Sequence, residues 1–355
     1  MPGQDDAGTV GAVTGPGGAT TATARLPDRQ APPPAGGPPA GPGNTGAAVQ
    51  GPRRARRRSS PGARRDARWF YGLTTPWMIG FVLFGGGPIV ASAVISLTNW
   101  SLLSNPRWVG LRNYRQLFHD SSFWTALWNT LYFGGGSVAV SMVCTFSLAL
   151  LLNLNVRGIW FFRLVFYLPT VTTGIATALL WEDLLHPDYG LINRLLALVG
   201  IQGPGWLSSN NWAMPALIMM SVWGAGNTVV IYLAGLQGVP RTLHEAASID
   251  GAGWWGRLWH VTLPMMSPVI FFNVITGFIA SMQAYVLILI MTNGGPGNAT
   301  LVLGLYIYRE AFQYFNLGYA SAAAWVLLVL IVAITAVQFL IGRRWVYAES
   351  MRKGA

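Results

Sequence analysis

The sequence predicts an all-α, multi-pass membrane protein with six transmembrane helices, both termini on the cytoplasmic side and a disordered N-terminal tail. Three observations predict it. Of 355 residues, 52% are hydrophobic and 10% charged, against roughly 45–50% apolar and about 25% charged in a soluble domain. The charged residues gather in short clusters that leave six long uncharged intervals. The arginines fall mainly on alternate connections between those intervals.

The tail comes first. Between Met1 and Gly62 stand 13 Gly and 11 Pro, and from the Leu/Ile/Val/Phe set only Val10, Val13, Leu26 and Val49. Such a stretch buries too little apolar surface to offset the entropy of ordering it. It ends in Arg53, Arg54, Arg56, Arg57, Arg58, Arg64, Arg65 and Arg68. An arginine run directly before a long apolar stretch is read as a juxtamembrane anchor touching anionic lipid, not as a nucleic-acid site. The apolar run that follows, Leu73 to Leu97, exceeds a signal-peptide core and is read as a retained anchor.

The uncharged intervals are Trp69–Pro106, Ser121–Val156, Leu164–Trp181, Leu195–Pro240, Leu258–Tyr308 and Ala311–Gly342. Each can hold the ~20 residues a helix needs to cross the hydrocarbon core. Turn material, Gly200 to Gly205 and Asn293 to Asn298, trims the two longest. Six spans are expected: 73–97, 124–152, 162–184, 212–237, 267–291 and 317–341. They are read as helices because only a helix satisfies its backbone within one segment in lipid. The membrane domain then covers 69–345, between a tail at 1–68 and a C-terminal tail at 346–355.

With the N-terminus inside, the cytoplasmic segments carry eight Arg from Arg53 to Arg68, then Arg157, Arg163, Arg241, Arg257, Arg343, Arg344, Arg352 and Lys353. The outer segments carry Arg107, Arg112, Arg115, Arg194 and Arg309. That asymmetry sets both termini inside. Trp69, Trp77, Trp100, Trp124, Trp181, Trp212 and Trp345 fall near the expected span ends and read as an interfacial aromatic belt.

Several functions are disfavoured at this stage. Lys353 is the only lysine, so no phosphate-binding GxxxxGK[ST] loop exists. Cys144 stands alone and the four histidines are dispersed, which excludes a disulfide framework and a cysteine-built metal site. No HExxH is present, and Ser137 lacks the rest of a nucleophile constellation. Glu182 and Asp183 approach a span only at its outer end, so no proton relay at depth is visible. Uncharged hydrogen-bonding residues are present within the fourth and fifth spans: Asn227, Thr228, Asn273, Thr276, Ser281, Gln283 and Tyr285. They suit a neutral, hydroxyl-rich solute, and equally they can join helices across a bundle.

The most informative stretch is the cytoplasmic loop 238–266. Thr242 with Glu245 has capping-box spacing, and Gly251 can end the short helix in a left-handed turn. A second helix is expected from Trp254 to Thr262, stopped by Pro264. The result is a compact knob presenting the small residues Ala246, Ala247 and Gly251, able to seat in a groove of another protein or to pack on its own bundle.

Glu245-Ala246-Ala247, then Asp250-Gly251-Ala252, then Leu263-Pro264 resemble the EAA loop of permease subunits in bacterial ATP-binding-cassette importers. Gly110-Leu111-Arg112-Asn113-Tyr114, Phe123-Trp124, Asn129-Thr130, Tyr189-Gly190-Leu191-Ile192-Asn193 and Thr292-Asn293-Gly294-Gly295-Pro296 resemble the carbohydrate-uptake branch, of maltose- and glycerol-phosphate-transporter type. The resemblance implies a non-enzymatic, multi-pass subunit of the bacterial cell membrane that pairs with a second homologous permease. It implies an ATPase dimer carrying the ATP and Mg, with no cofactor on this chain, and an extracytoplasmic solute-binding lipoprotein that delivers the sugar. Glu245, Ala246, Ala247, Asp250 and Gly251 would form the coupling helix, and Leu263 and Pro264 would fix the loop's return to the membrane. Asn227, Thr228, Gln283 and Tyr285 are the expected lining of the solute path. A glycerol-phosphate-type importer and a non-transporting membrane scaffold or receptor are the alternative readings.

Overall fold

The computed structural model describes residues 61–345 except 103, 155–156 and 173. Most of the expected N-terminal tail and all of the C-terminal tail at 346–355 lie outside the described residues.

Helix α1 (Pro61–Gly80) starts within the stretch read as tail. It continues through a π-turn, Phe81–Gly86, into α2 (Gly87–Ser96). Pro88 has no N–H to place in the ladder, and it falls just after the wide turn, where the register has already shifted. A two-residue hairpin follows, β1 (Thr98–Asn99) against β2 (Arg107–Trp108), which the all-α expectation did not contain. The amphipathic α3 (Arg112–His119) leads into α4 (Ser121–Leu152), a 32-residue helix capped by Asp120, whose carboxylate accepts from the Ser122 N–H at 2.8 Å.

The third and fourth expected spans are helical but broken. Helix α5 (Ile159–Tyr167) and a 3₁₀ turn, Leu168–Val171, meet α6 (Gly174–Leu184) at 103°. After α7 (Leu191–Leu198), helix α8 (Ala213–Ser221) meets α9 (Gly226–Gln237) at 48°. A Cβ at Gly226 would stand 2.7 Å from the Phe166 carbonyl oxygen, so only glycine lets α9 begin this close to α5.

Helices α10 (Arg241–Ile249) and α11 (Trp254–Arg257) form the expected knob. Pro264, however, stops nothing. A π-turn at Leu258–Thr262 leads straight into α12 (Leu263–Met282), making Trp254–Met282 one 29-residue candidate span. The physical reason is the one seen at Pro88: the wide turn shifts the ladder just ahead of a residue without an N–H. At the other end α12 finishes at Met282, and a break at Gln283–Tyr285 separates it from α13 (Val286–Met291). The expected fifth span, 267–291, is therefore displaced toward the cytoplasm and split. Helices α14 (Leu303–Tyr308) and α15 (Leu317–Trp345) complete the chain. Among the described residues four helices are long and apolar enough to cross a membrane, and up to six spans result if each bent pair counts as one.

Helix α4 borders two cores. Near its outer end Phe123, Ala126 and Phe133 pack with Leu217, Met282 and Leu303. Near its inner end Ala149 and Leu152 pack with Tyr232, Leu236 and Met266. By contrast α1, α2 and α15 leave Trp77, Val90, Val329 and Leu340 exposed, as bilayer-facing helices do.

Candidate functional site

The knob is built almost entirely from its own backbone. Helix α10 has Pro240 at its N-cap and no side-chain cap bond. Thr242 already lies inside the helix, so the expected capping box with Glu245 does not form. The C-terminal end is as expected: Gly251 has φ +80°, its N–H donates to the Ser248 carbonyl at 3.1 Å, and the Ala252 N–H donates to the Ala247 carbonyl at 2.8 Å. This is a Schellman closure, and it requires a residue that tolerates positive φ. Glu245, Ala246, Asp250, Gly251 and Pro264 are exposed, and Ala247 and Leu263 are half-buried. Arg257 Nη1 ties the two short helices by donating to Ser248 Oγ at 3.1 Å. Helix α10 packs mainly on α11 and the π-turn that follows it. Ile249, which the sequence reading passed over, stands 87% exposed between Ser248 and Asp250.

The outer-loop motifs turn out to be joints. Asn129 Nδ2 donates to the Asn298 and Leu301 carbonyls at 2.9 and 3.1 Å, and the Leu303 N–H donates to Thr130 Oγ1 at 2.7 Å. The Gly-Gly-Pro turn is thereby fastened to α4. Thr300 Oγ1 closes that turn by donating to the Gly295 carbonyl at 2.7 Å. Asn113, buried, donates to the Ser96 and Thr98 carbonyls at 2.7 and 2.9 Å, satisfying the end of α2. Asn193 Nδ2 donates to the Pro187 carbonyl at 3.0 Å, and its Oδ1 accepts from Trp206 Nε1 at 2.7 Å. A Cβ at Gly190 would lie 2.7 Å from the Leu184 carbonyl oxygen.

A small charged cluster completes the outer face. Asp120 Oδ2 accepts from the Tyr306 hydroxyl at 2.5 Å and from the Tyr319 hydroxyl at 3.2 Å. Burial pushes the Asp120 carboxyl up, but the bonds from Tyr306, Ser122 and Tyr319 outweigh it and hold the group below its ordinary range. The Tyr306 hydroxyl is raised by burial and by its bond to that carboxylate. Glu310 is raised by burial and by the nearby Asp120 charge, against a bond from Asn316 that lowers it.

Between α4, α8, α9 and α12 lies a cavity of about 230 Å³ lined by Ser137, Ser141, Thr228, Tyr232, Asn273 and Ser281, with no charged residue in its wall. Ser137 Oγ is buried there and has no hydrogen-bond partner among the described residues. Of the four expected lining residues the structure brings only Thr228 to this wall. Asn227 is exposed, Gln283 is exposed at the helix break, and Tyr285 stacks on Tyr308 with ring centroids 5.6 Å apart. Ser137, Ser141 and Tyr232 were missed. The signal was available: Ser137 and Ser141 are four apart on α4, and Asn273, Gly277 and Ser281 four apart on α12, the spacing of one helix face.

Residues 139–347 match the family described as binding-protein-dependent transport system inner membrane component. The chain is 37% identical over 298 residues to YesP, a probable ABC transporter permease protein of Bacillus subtilis (strain 168), covering 82% of this chain and 96% of that one. It is 35% identical over 266 residues to LacF, the lactose transport system permease protein of Rhizobium radiobacter, covering 72% and 88%. Among solved structures, a bacterial ABC transporter involved in the import of the acidic polysaccharide alginate superposes with a TM-score of 0.70 at 25% identity, covering 80% of this chain and 97% of that chain. With a match over more than half its length and relatives aligned nearly end to end, the chain belongs to the inner membrane components of binding-protein-dependent transport systems, the permease subunits of ABC transporters.

Proposed function

We propose that this chain forms half of the translocation pathway of an ATP-driven importer for a sugar or oligosaccharide in a bacterial cell membrane, and that loop 238–266 couples it to a separate ATPase. The observation that carries the solute class is the uncharged polar cavity within an apolar bundle, together with the unpartnered hydroxyl of Ser137. A buried hydroxyl without a partner is costly, and a solute rich in hydroxyls can satisfy it. A glycerol-phosphate-like anion would call for cations in that wall, which holds none. The lactose permease among the relatives supports the sugar class.

The coupling reading rests on two facts. The chain lacks a phosphate-binding loop of its own, so in an ABC transporter the nucleotide chemistry falls to another subunit. The surface offered for that subunit is α10 with Glu245, Ala246, Ala247, Asp250 and Gly251, and Leu263 and Pro264 lead directly from it into α12. In this mechanism ATP binding favours one of two conformations of the partners, and the knob transmits that preference to the spans. A second permease and an extracytoplasmic binding protein complete the assembly. The test is uptake by the reconstituted transporter carrying Asn273→Leu together with Ser137→Leu. Uptake should fall at least tenfold, about 1.4 kcal/mol, while the subunits still co-purify; unaltered uptake kinetics would remove the cavity from the pathway.

A further inference from the structure

Beneath the knob lies a second, larger cavity of about 800 Å³, enclosed by the inner end of α4, the end of α9 and the start of the long span containing α12. Its walls are apolar, among them Phe146, Leu150, Leu236 and Ile270, with the indoles of Trp255 and Trp259 at its edge. One end carries the Arg257 guanidinium: Arg257 and the His244 imidazole line an adjoining hollow of about 190 Å³ that shares Leu150 and Leu258 with the larger one. Among the described residues the Arg257 guanidinium is bonded to the neutral hydroxyl of Ser248 at 3.1 Å, not to a carboxylate.

Three facts select the occupant. A hydroxyl-rich solute would lose its hydrogen bonds to water along these walls, whereas a hydrocarbon chain has none to lose. The arginine asymmetry places this end at the cytoplasmic leaflet, whose lipids are anionic. Trp255 and Trp259 are 67% and 63% exposed, and such rings settle at headgroup depth.

We propose that the trough under the knob binds an anionic phospholipid, its acyl chain lying along Phe146, Leu150 and Leu236 and its phosphate at Arg257 and His244. The lipid would then fill the space between the knob and α4, so that the knob stands partly on a lipid and not wholly on protein. Met142 lines both this trough and the polar cavity, yet the two differ in chemistry and are tested separately.

The experiment uses the full-length chain in nanodiscs of phosphatidylcholine containing a small share of phosphatidylglycerol with a photoreactive acyl chain. Cross-linked peptides are mapped and compared with those from the same photoreactive chain on phosphatidylcholine. Labelling should concentrate on the inner end of α4 and on the Trp254–Thr262 segment, about fivefold stronger for the anionic headgroup, the factor one cation supplies at a membrane surface. Arg257→Gln with His244→Gln should erase the headgroup preference, and Arg257→Lys should keep it. Leu150→Trp, which fills the trough without changing its charge, should remove labelling by either lipid. Equal labelling by the two headgroups, a preference that survives replacement of both Arg257 and His244, or labelling confined to α1, α2 and α15 would each overturn the proposal. So would displacement of the trough label by an oligosaccharide, which would make the trough part of the solute path.

Discussion

The outer face and the cytoplasmic knob are built on opposite plans. Outside, long-range side-chain bonds from Asn129, Thr130 and Asp120 fasten the start of α4 to the Gly-Gly-Pro turn, α14 and α15, across more than 160 residues of sequence. Inside, the knob is closed by local bonds, among them Ser248 Oγ to the His244 carbonyl and Arg257 to Ser248, with Ile249 and Glu245 left to solvent. Polar groups that are buried must be paired within the chain. Polar and apolar groups left bare at the end of a well-formed helix are available to another chain. Among the described residues the start of α4 pairs its polar groups at long range, whereas the knob leaves Glu245 and Ile249 bare, the surface the proposed ATPase contact would use.

That contrast can be broken most forcefully at Gly190. Gly190→Val drives a side chain into the backbone around Leu184 and His186 and should lower stability by about 3 kcal/mol, read as a drop in thermal midpoint in detergent; an unchanged midpoint would show that the outer loop is soft. Asn129→Ala comes next. It takes the side-chain donor from the Leu301 carbonyl and one of two donors from the Asn298 carbonyl, which keeps the Leu301 N–H, and a loss of about 2 kcal/mol is expected by the same measurement. Retention of the wild-type midpoint would mean that the turn holds its shape without α4. Ile249→Asp sharpens the comparison from the other side. Its effect on the isolated chain should stay within about 0.5 kcal/mol, while stimulation of ATP hydrolysis in the assembled transporter falls. A destabilised chain with normal stimulation would reverse the assignment of knob and scaffold.

The six spans were legible because charge is expensive in lipid, and uncharged intervals therefore mark crossings directly. Their internal geometry was not. Pro264 looks like a helix stop in sequence, and only the π-turn at Leu258–Thr262 makes it a passage. Residues 267–291 read as one apolar run, yet the chain breaks at Gln283–Tyr285, since composition carries no information on where neighbours interrupt a helix. Gly251 announced its left-handed turn because a positive φ has few tenants. Thr242 misled because its capping-box spacing to Glu245 falls at the second residue of a helix that Pro240 already caps. For the cavity, Thr228 was found by residue type, whereas Ser137, Ser141 and Tyr232 are ordinary helix residues until four segments converge on them.

The 32 residues of α4 run unbroken for about 48 Å at 1.5 Å per residue. The helix is clamped at its outer end by Asp120, Asn129 and Thr130, lines the polar cavity at mid-length through Ser137 and Ser141, and ends beside the knob. In the proposed mechanism such a rod would act as a lever with its fulcrum at the outer end of the span. A push delivered at the cytoplasmic end would swing the middle through about half the distance, so the stroke applied at the knob and the opening of the cavity would be related by simple proportion.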